Sequence, residues 1–470
     1  SWQIIKSLFQ AQHVDPRLTR QKWIADYLME FIPEGGYRSV SGGFLDAETV
    51  WPILLERVIG LADDRPDLLA ILRWSIDASH VARFHGATGE FREAAVRWLS
   101  ETAGTTAQTV FRCIEANPKA DALPIGLAAG VVYSPKAKGK LEKAAGKMEE
   151  RYLGRSTPEE TAIERWSAAA AEVVRLQIAD SRLKGSLLQR ADEILQAVGA
   201  EGFAHLSSTS PLGFGQRLAR FGKDLSRLLD GAAGSAVQEL TTLRAEIGDH
   251  ELAVRERRRL ERVDMAVRLV RWLDQVEKRP RVEARSIEEG VDDQRTEGGF
   301  VDWARLMLRT GDPVRELSEA YAKLFERVTL VREARSREFA ELLRVWSESP
   351  SVSQGLTPVE KVLDEVVAPL AAESPVLLIL IDGMSVAVCR ELLPDLLGQE
   401  WIPLNRTGRE SLLSAGLATI PSITEVSRTS LFSGQLRQGA SADERIGFSE
   451  HVALRAHSKS GYPPVLFHKS

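Results

Sequence analysis

The chain has 470 residues and a mass of 52.0 kDa, enough for about two to four domains with buried cores. Hydrophobic residues make up 44% and charged residues 27%, the balance of an ordinary globular protein. The formal net charge of −5 excludes a general electrostatic attraction to nucleic acid or to an anionic membrane, although a local basic groove stays open. The two cysteines, Cys113 and Cys389, lie in separate predicted helices. They exclude a disulfide framework and a cysteine-based zinc site.

The sequence shows neither a membrane-spanning nor a secretory segment. No apolar run approaches the roughly 18 residues of a membrane span, and no signal peptide is visible. The chain begins with Ser1 rather than Met and stops after the strand-like sequence PPVLFHKS. We therefore expect an excised part of a longer cytoplasmic protein.

Apolar residues recur every three or four positions up to about residue 355, which predicts a succession of helices. Capping-box spacing predicts that one helix begins at Thr157, and Asp312 followed by proline predicts another start. A change from apolar to basic composition near residues 130–140 divides this region. We predict an N-terminal helical domain over residues 1–135 and a helical bundle or coiled-coil-like arm over residues 136–350.

Two long helices of the predicted arm carry narrow apolar seams. One seam is Val314, Leu317, Tyr321, Leu324, Val328 and Val331, and the other is Leu260, Val263, Val267 and Val270. Such seams predict an antiparallel hairpin or a bundle, which either grips a partner or forms plain bundle core. The basic cluster at 254–264 is interleaved with glutamates, so a solvated helix face is favoured over a nucleic-acid contact.

The segment of residues 347–361 is the clearest domain boundary, because its Ser, Pro and Gly content is typical of a linker. Beyond it, short apolar runs alternate with helical stretches, which predicts a partial α/β domain with a parallel sheet over residues 351–470. The run PVLLILI, residues 375–381, has the continuous apolar character of a strand buried on both faces. The other predicted strands are 401–404, 416–420 and 463–467.

Asp382 follows the predicted strand 375–381 directly, and Gly383 permits a sharp turn into a helix predicted over residues 385–397. Ligands of open α/β sheets collect beyond the carboxyl ends of the strands. A carboxylate at this place can therefore coordinate Zn²⁺, Mg²⁺ or Mn²⁺. The alternative is that Asp382 only caps the following helix.

A second candidate group lies in GLATIPSITEVSRTSLFSG, residues 416–434. The predicted strand breaks at Pro421 and a helix follows, so that Thr424 lies in the first helical turn, where free N–H groups and the helix dipole favour a phosphate. Its hydroxyl could act as a nucleophile if a metal activates it, and Arg428, one turn later, could bind phosphate oxygens. The alternatives are local capping by Ser422 and Thr424, and a solvated surface arginine at 428.

Together these stretches resemble the alkaline-phosphatase superfamily: a strand followed by Asp-Gly and, about forty residues later, a strand followed by Pro-x-x-Thr, a helix and Ser-Gly. LLILIDGMSVAV and LATIPSITEVSRTSLFSGQL resemble the first two motifs of the PglZ domain, and LFHKS resembles the Pro-x-x-x-x-His-Lys stretch that follows them. The preceding helical region is what one expects of PglZ proteins from BREX phage-defence systems, particularly the type 2 form. The specific resemblance covers about residues 360–470.

This resemblance implies a metal-dependent hydrolase of phosphate mono- or diesters, with nucleic acid among the candidate substrates. Asp382 would be a metal ligand, Thr424 the metal-bound nucleophile and Arg428 a family position near that nucleophile. Family members use divalent metals, usually two zinc ions, which activate the attacking oxygen and stabilise the leaving one. The implied partners are other BREX proteins, bound through the helical region, and nucleic acid in the assembled system, but no membrane.

The sequence departs from the superfamily where the later metal ligands are needed. No Asp-His-Gly-like motif follows residue 434, and we interpret His451, His457 and His468 as surface histidines. Since a catalytic zinc ion normally needs three protein ligands, we expect this chain alone to bind metal weakly and to be inactive. The alternative function is a non-catalytic assembly module whose helices dock other defence proteins. A helical DNA-binding protein is a third hypothesis, although no recognisable nucleic-acid module is present.

Overall fold

The structure is a computed structural model. It describes residues 2–231, 236–278, 286–348, 356–402, 404 and 414–468. Within this part the chain is mostly helical, as predicted, and its strands form two short parallel pairs. None of the described helices is long and apolar enough to cross a lipid bilayer.

The chain divides into two compact units. The first comprises Ser1–Phe221 and Thr242–Arg257, and the second comprises Gly222–Thr241 and Arg258–Ser470. The division predicted from the sequence, with domains over residues 1–135, 136–350 and 351–470, stays a prediction. Residues 349–355 of the predicted linker, 347–361, lie outside the described residues.

The first unit is a helical assembly with one short strand pair. Its described elements are α1 (Trp2–Phe9), β1 (His13–Val14), α2 (Pro16–Thr19), α3 (Lys22–Glu30), β2 (Phe44–Leu45), α4 (Ala47–Leu54), α5 (Leu68–Trp74), α6 (Ala78–Gly86), α7 (Gly89–Ala103), α8 (Thr106–Ala116), α9 (Ala122–Val132), α10 (Glu142–Tyr152), α11 (Glu160–Glu172) and α12 (Ser181–Val198). The strands β1 and β2 are parallel. Two further helices, α13 (Pro211–Leu229) and α14 (Ala236–Gly248), have residues in both units.

The core of the first unit surrounds α9, whose sequence ALPIGLAAGVV is apolar on every side. All of its residues except Gly130 are buried, as a helix without a polar face requires. Gly126 allows α11 to approach closely, because a Cβ atom there would lie 2.4 Å from the indole nitrogen of Trp166. Trp166, Trp51 and Trp98 are all buried, so these tryptophans anchor the helix packing.

The predicted capping box at Thr157 is wrong. The helix α11 begins at Glu160, and its N-cap residue Glu159 makes no side-chain capping hydrogen bond. The hydroxyl of Thr157 instead donates to a carboxylate oxygen of Glu149 over 3.3 Å. The side chain of Thr157 thus contacts a neighbouring helix instead of capping its own.

The remaining described elements belong to the second unit, apart from the first residue of α15. They are α15 (Arg257–Lys278), α16 (Ile287–Asp293), α17 (Gly299–Leu308), α18 (Arg315–Glu348), β3 (Thr357–Pro358), α19 (Ala368–Glu373), α20 (Val386–Gly398), β4 (Gly416–Leu417), α21 (Thr424–Ser433), α22 (Ser441–Glu450) and α23 (Val452–Ala456). A π-helical turn, Gln294–Gly298, precedes α17, and another, Leu363–Val367, precedes α19.

The seam predicted along α18 is confirmed, since Leu317, Tyr321, Leu324 and Val328 are buried. The helix begins at Arg315, three residues after Asp312, so its start predicted at Asp312 is wrong. The Oδ1 of Asp312 accepts a hydrogen bond from the Val314 N–H over 2.9 Å, in the turn that precedes the helix.

The fully buried carboxylate of Asp312 also binds the Arg259 guanidinium at two positions, over 2.6 and 2.8 Å. Arg262 lies 3.7 Å from it, and both arginines are largely shielded from solvent. The interpretation of residues 254–264 as a solvated helix face is therefore wrong for Arg259 and Arg262, which neutralise a buried charge.

The helices α15 and α18 run in the same direction. Arg259, near the start of α15, pairs with Asp312 just before α18, and Glu277, near the end of α15, pairs with Arg327 within α18 over 2.7 Å. The predicted antiparallel hairpin of these two helices is therefore wrong. Their seams belong to a helical bundle, which was the other alternative.

The C-terminal residues form less sheet than the sequence predicts. The strands β3 and β4 are parallel, with Thr357 opposite Gly416 and Pro358 opposite Leu417. The strand predicted over 416–420 is thus confirmed only at its first two residues. The described residues of the predicted strands 401–404 and 463–467 are not strands.

The predicted buried strand over residues 375–381 is also wrong for the described structure. This run is neither helix nor strand and pairs with no strand among the described residues, and residues 376–381 are 36% to 81% exposed. A strand of a parallel sheet needs a neighbouring ladder of N–H and C=O groups and helices on both faces. The described part of the chain supplies neither, so the apolar pattern does not become a strand.

Candidate functional site

Asp382 lies in a tight turn between the apolar run 375–381 and α20. Gly383 follows with a φ of +74°, in the left-handed region that glycine adopts without steric cost. The helix α20 is capped by Ser385, whose Oγ accepts a hydrogen bond from the Val388 N–H over 3.2 Å. Because Ser385 is the cap, the interpretation of Asp382 as a capping residue is wrong, and its half-exposed carboxylate is available to the site.

Thr424 is the first residue of the ten-residue helix α21. Its N-cap residue is Ile423, which makes no side-chain hydrogen bond, so the predicted capping role of Ser422 is wrong. The side chain of Thr424 is exposed. A hydroxyl therefore lies beside the N–H groups of the first turn. That of Val426 donates to the Ile423 carbonyl over 3.1 Å, whereas those of Thr424 and Glu425 have no acceptor within the helix.

Arg428 connects the two candidate segments. Its Nη1 lies 3.8 Å from Oδ2 of Asp382, and its position in α21 is one helical turn after Thr424. The carboxylate that follows the apolar run is thereby brought to the helix that carries the candidate nucleophile. The structure thus places all three predicted residues in one region of the second unit.

The interpretation of Arg428 as a solvated surface arginine is wrong. Its guanidinium donates from Nη2 to Oε2 of Glu444 over 2.6 Å, and Glu444 is only 3% exposed. The Nε atom of Arg428 is shielded from solvent and has no acceptor among the described residues. Arg428 is therefore held by Glu444 through Nη2, while its Nη1, on the side of Asp382, stays available for an anion.

His468 extends this contact, so its interpretation as a surface histidine is also wrong. Its Nε2 lies 2.6 Å from the same Oε2 of Glu444, and its Nδ1 lies 3.1 Å from Nε of Arg445. A guanidinium can only donate, so Nδ1 is the acceptor and Nε2–H donates to the carboxylate. The resemblance of LFHKS pointed to this region, whereas nothing in the sequence singled out Glu444.

The other two histidines lie away from this group. His451 is buried beside Gly434, where a Cβ atom would come within 2.6 Å of its ring, and its Nε2 lies 3.6 Å from Asp364. Its interpretation as a surface histidine is wrong, because it packs against the end of α21. His457 is exposed as predicted.

A cavity of about 1670 Å³ adjoins both candidate segments. Met384 and Ser385, which follow Asp382, line one part of it, and Pro421 and Ser422, which precede Thr424, line another. The helices α16 and α18 contribute the remaining wall together with the end of α15. Asp382, Thr424 and Arg428 themselves do not line this cavity, which lies beside the candidate site.

The helix after Asp382 is anchored on α17. Arg390 of α20 donates to the backbone carbonyl of Thr296 over 3.1 Å and to that of Arg295. Both carbonyls lie in the π-helical turn before α17. Gly299 allows the helices to approach, since a Cβ atom there would lie 2.5 Å from Val386. This packing fixes the position of α20 and of the Asp382 turn before it.

The described residues do not complete a site for two zinc ions. Among them, no group of three or more His, Cys, Asp or Glu side chains is placed to hold a metal ion. Glu444 already accepts hydrogen bonds from Arg428 and His468. Asp382 therefore stands as a single candidate carboxylate, which falls short of the three protein ligands of a catalytic zinc ion.

The comparison with protein families concerns a different part of the chain. Residues 67–209 match the family model of the second domain of PglZ from the BREX system. The matched residues lie in the first unit and include α9 and α11. No curated protein and no solved structure matches the chain. The match supports the same family as the motifs in residues 360–470, from residues that those motifs do not include.

Proposed function

Taking the chain as a PglZ protein of a BREX phage-defence system, the identification that its second domain supports, we propose that the complete cytoplasmic protein hydrolyses phosphate esters. Its site contains Asp382, Thr424 and Arg428. The observation that carries this proposal is the contact of Arg428 with Asp382, one helical turn from Thr424. It brings a carboxylate to the helix that carries the cation and the exposed hydroxyl, which follow that carboxylate by about forty residues in the sequence.

These residues suit the binding and transfer of a phosphoryl group. The first turn of α21 and the guanidinium of Arg428 offer hydrogen-bond donors to phosphate oxygens. The Oγ of Thr424 would attack phosphorus while the ester P–O bond breaks, and the leaving oxygen takes the proton that the hydroxyl loses. Water would then attack the phosphorus of the phosphothreonine and return a proton to the Thr424 oxygen. This step releases phosphate from a monoester substrate or a phosphate monoester from a diester substrate.

The family resemblance implies two divalent metal ions, usually zinc, which would supply activation of the attacking oxygen. Asp382 is a candidate ligand for one of them. The described residues do not complete the set, and in this proposal the missing ligands come from other residues of the complete gene product. Nucleic acid is one candidate substrate among phosphate mono- and diesters.

The decisive test is the Thr424→Ala variant of the complete gene product, assayed with p-nitrophenyl phosphate and bis-p-nitrophenyl phosphate in the presence of Zn²⁺. We expect kcat/KM to fall on the order of 10³-fold or more, as when another enzyme's nucleophile is removed. Thr424→Ser, which keeps a hydroxyl, retains measurable turnover.

The matched control is Ser441→Ala. Ser441 is an exposed hydroxyl residue at the first position of another ten-residue helix, α22. We expect it to leave turnover unchanged. Equal activity of Thr424→Ala and Ser441→Ala would remove Thr424 from the mechanism.

A second candidate function is assembly with other BREX proteins through the helical region. It is favoured by apolar side chains that remain exposed along α18, among them Leu330 and Val345. Such residues on a long helix can pack against a partner. If this function is correct, Val345→Glu in the complete protein lowers the recovery of BREX proteins in a pull-down, whereas Thr424→Ala does not.

A further inference from the structure

We propose that Glu444 and His468 are positioning residues, which hold the Arg428 guanidinium beside Asp382 and the first turn of α21. This inference rests on the proposed hydrolase function and deepens it. It adds two residues that make no contact with Asp382 themselves and act through Arg428.

The geometry centres on one carboxylate oxygen. Oε2 of Glu444 accepts a hydrogen bond from Nη2 of Arg428 and another from Nε2 of His468, each over 2.6 Å. The Glu444 side chain is almost fully buried, and those of Arg428 and His468 are largely shielded. Short hydrogen bonds to an ionised group in such surroundings are stronger than those between neutral groups.

His468 is itself fixed from its other side. Arg445, the residue after Glu444 on α22, donates from Nε to Nδ1 of His468 over 3.1 Å. The imidazole therefore presents Nε2–H to Glu444 and adds no charge to the pair of Glu444 and Arg428. The result is a continuous chain of contacts from Arg445 through His468 and Glu444 to Arg428.

The position of Asp382 indicates how these contacts serve the site. Its carboxylate lies only 3.8 Å from Nη1 of Arg428. An arginine without Glu444 would be free to close on Asp382 in a bidentate pair, which is the preferred geometry of these groups. That pair would occupy both the anion-binding group and the candidate metal ligand. Glu444 competes for the guanidinium and so keeps both groups available.

The same contacts would also connect α21 to α22 if their role were purely structural. The test therefore needs a neighbouring ion pair as a control. Arg437 and Asp443 provide it. Their side chains are 3.2 Å apart, and Asp443 lies next to Glu444 at the start of α22. Asp443→Asn weakens this neighbouring pair and keeps an acceptor for the Ala440 N–H, which Asp443 caps over 2.8 Å.

The test variants alter geometry without altering net charge. Glu444→Asp draws the carboxylate back by one methylene group, His468→Ala removes the donor, and His468→Gln restores an N–H donor near the place of Nε2. In the complete gene product we expect Glu444→Asp and His468→Ala to lower kcat/KM for bis-p-nitrophenyl phosphate about tenfold to a hundredfold, the cost of misplacing a group by about 1 Å. His468→Gln recovers most of the loss, and Asp443→Asn changes kcat/KM less than twofold.

The outcomes separate this inference from the proposed function. If Thr424→Ala abolishes hydrolysis but Glu444→Asp and His468→Ala stay within twofold of the unaltered protein, the hydrolase stands and the positioning role is overturned. The role is also overturned if His468→Gln is as impaired as His468→Ala, because a donor then does not restore it.

If instead Thr424→Ala leaves hydrolysis unchanged, the proposed function fails and calorimetric titration with inorganic phosphate decides the inference. A Kd for phosphate about tenfold weaker in His468→Ala, with recovery in His468→Gln, supports the positioning of Arg428 as an anion-binding group. Equal Kd values in the unaltered protein and His468→Ala overturn it.

Discussion

Two apolar runs of this chain differ in secondary structure and in burial. The sequence ALPIGLAAGVV forms the helix α9, of which all residues but Gly130 are buried. The run PVLLILI, residues 375–381, forms neither helix nor strand, and its side chains from 376 to 381 remain substantially exposed. Both runs lack charged residues, so their hydrophobicity does not explain the difference.

The difference lies in where each run finds its hydrogen-bond partners. A helix pairs its own N–H and C=O groups, so α9 needs only apolar neighbours, and α11 supplies them. An extended run needs another strand to pair its backbone and helices to cover its faces. Burial of a Val, Leu or Ile side chain contributes about 1.5–3 kcal/mol, and the exposed residues of 375–381 do not obtain this stabilisation from the described residues.

The largest expected effect comes from the same substitution in the two regions. Trp166 is fully buried against α9, whereas Trp401, beyond α20, is 65% exposed. Trp166→Ala should lower the free energy of unfolding by about 3–5 kcal/mol, because it leaves a cavity in a packed core. Trp401→Ala should change it by less than about 0.5 kcal/mol.

Urea unfolding of the 470-residue chain, followed by far-UV circular dichroism, measures both values. The comparison of regions breaks down if the two variants are destabilised equally, since Trp401 would then be as well packed in solution as Trp166.

The next effect is a pH dependence of the first unit. Burial, and next the charge of Arg217, lower the pKa of His250 from 6.5 to about 4. Both ring nitrogens of His250 have a hydrogen-bond partner. One lies 3.1 Å from the Ser210 carbonyl, and the other accepts from the Leu252 N–H over 3.2 Å. Between pH 6.5 and pH 4 the unfolded chain binds a proton that the folded chain excludes.

The stabilisation from neutral His250 is therefore complete above pH 6.5 and is lost as the pH falls towards 4, up to about 3 kcal/mol. Urea midpoints measured at pH 7, 5.5 and 4.5 should decline, and His250→Gln should flatten the part of the decline that this group causes. His457→Gln, a change at an exposed histidine, is the control and should preserve the slope. A slope that is identical in both variants would exclude His250 as its source.

The helical structure could largely be predicted from the sequence, because helix periodicity is local. The seam of α18 required only residues that are near in sequence. The start of α11 could not be predicted, because Thr157 bonds to Glu149 of another helix. The run 375–381 could not be predicted either, because its pattern describes a strand only when neighbouring strands are present.

The candidate site likewise has residues that could be predicted from the sequence and one that could not. Asp382 and Thr424 could be proposed because each follows an apolar run and precedes a helix, and the structure brings their segments together through Arg428. Glu444 has no such local signal. It lies inside an ordinary helix, and only the folded chain shows that its carboxylate meets Arg428 and His468.

The smallest expected effect tests the exposed run directly. Leu377 is 81% exposed, so Leu377→Ser should change the free energy of unfolding of the 470-residue chain by less than about 0.5 kcal/mol. The matched change in the buried run, Leu123→Ser, should cost several kcal/mol, since it removes a packed side chain and buries a hydroxyl. Leu377→Ser should also reduce light scattering at high protein concentration, because exposed apolar patches favour association. A loss above about 1.5 kcal/mol in Leu377→Ser would show that this residue is covered in solution, and the contrast between the two runs would then disappear.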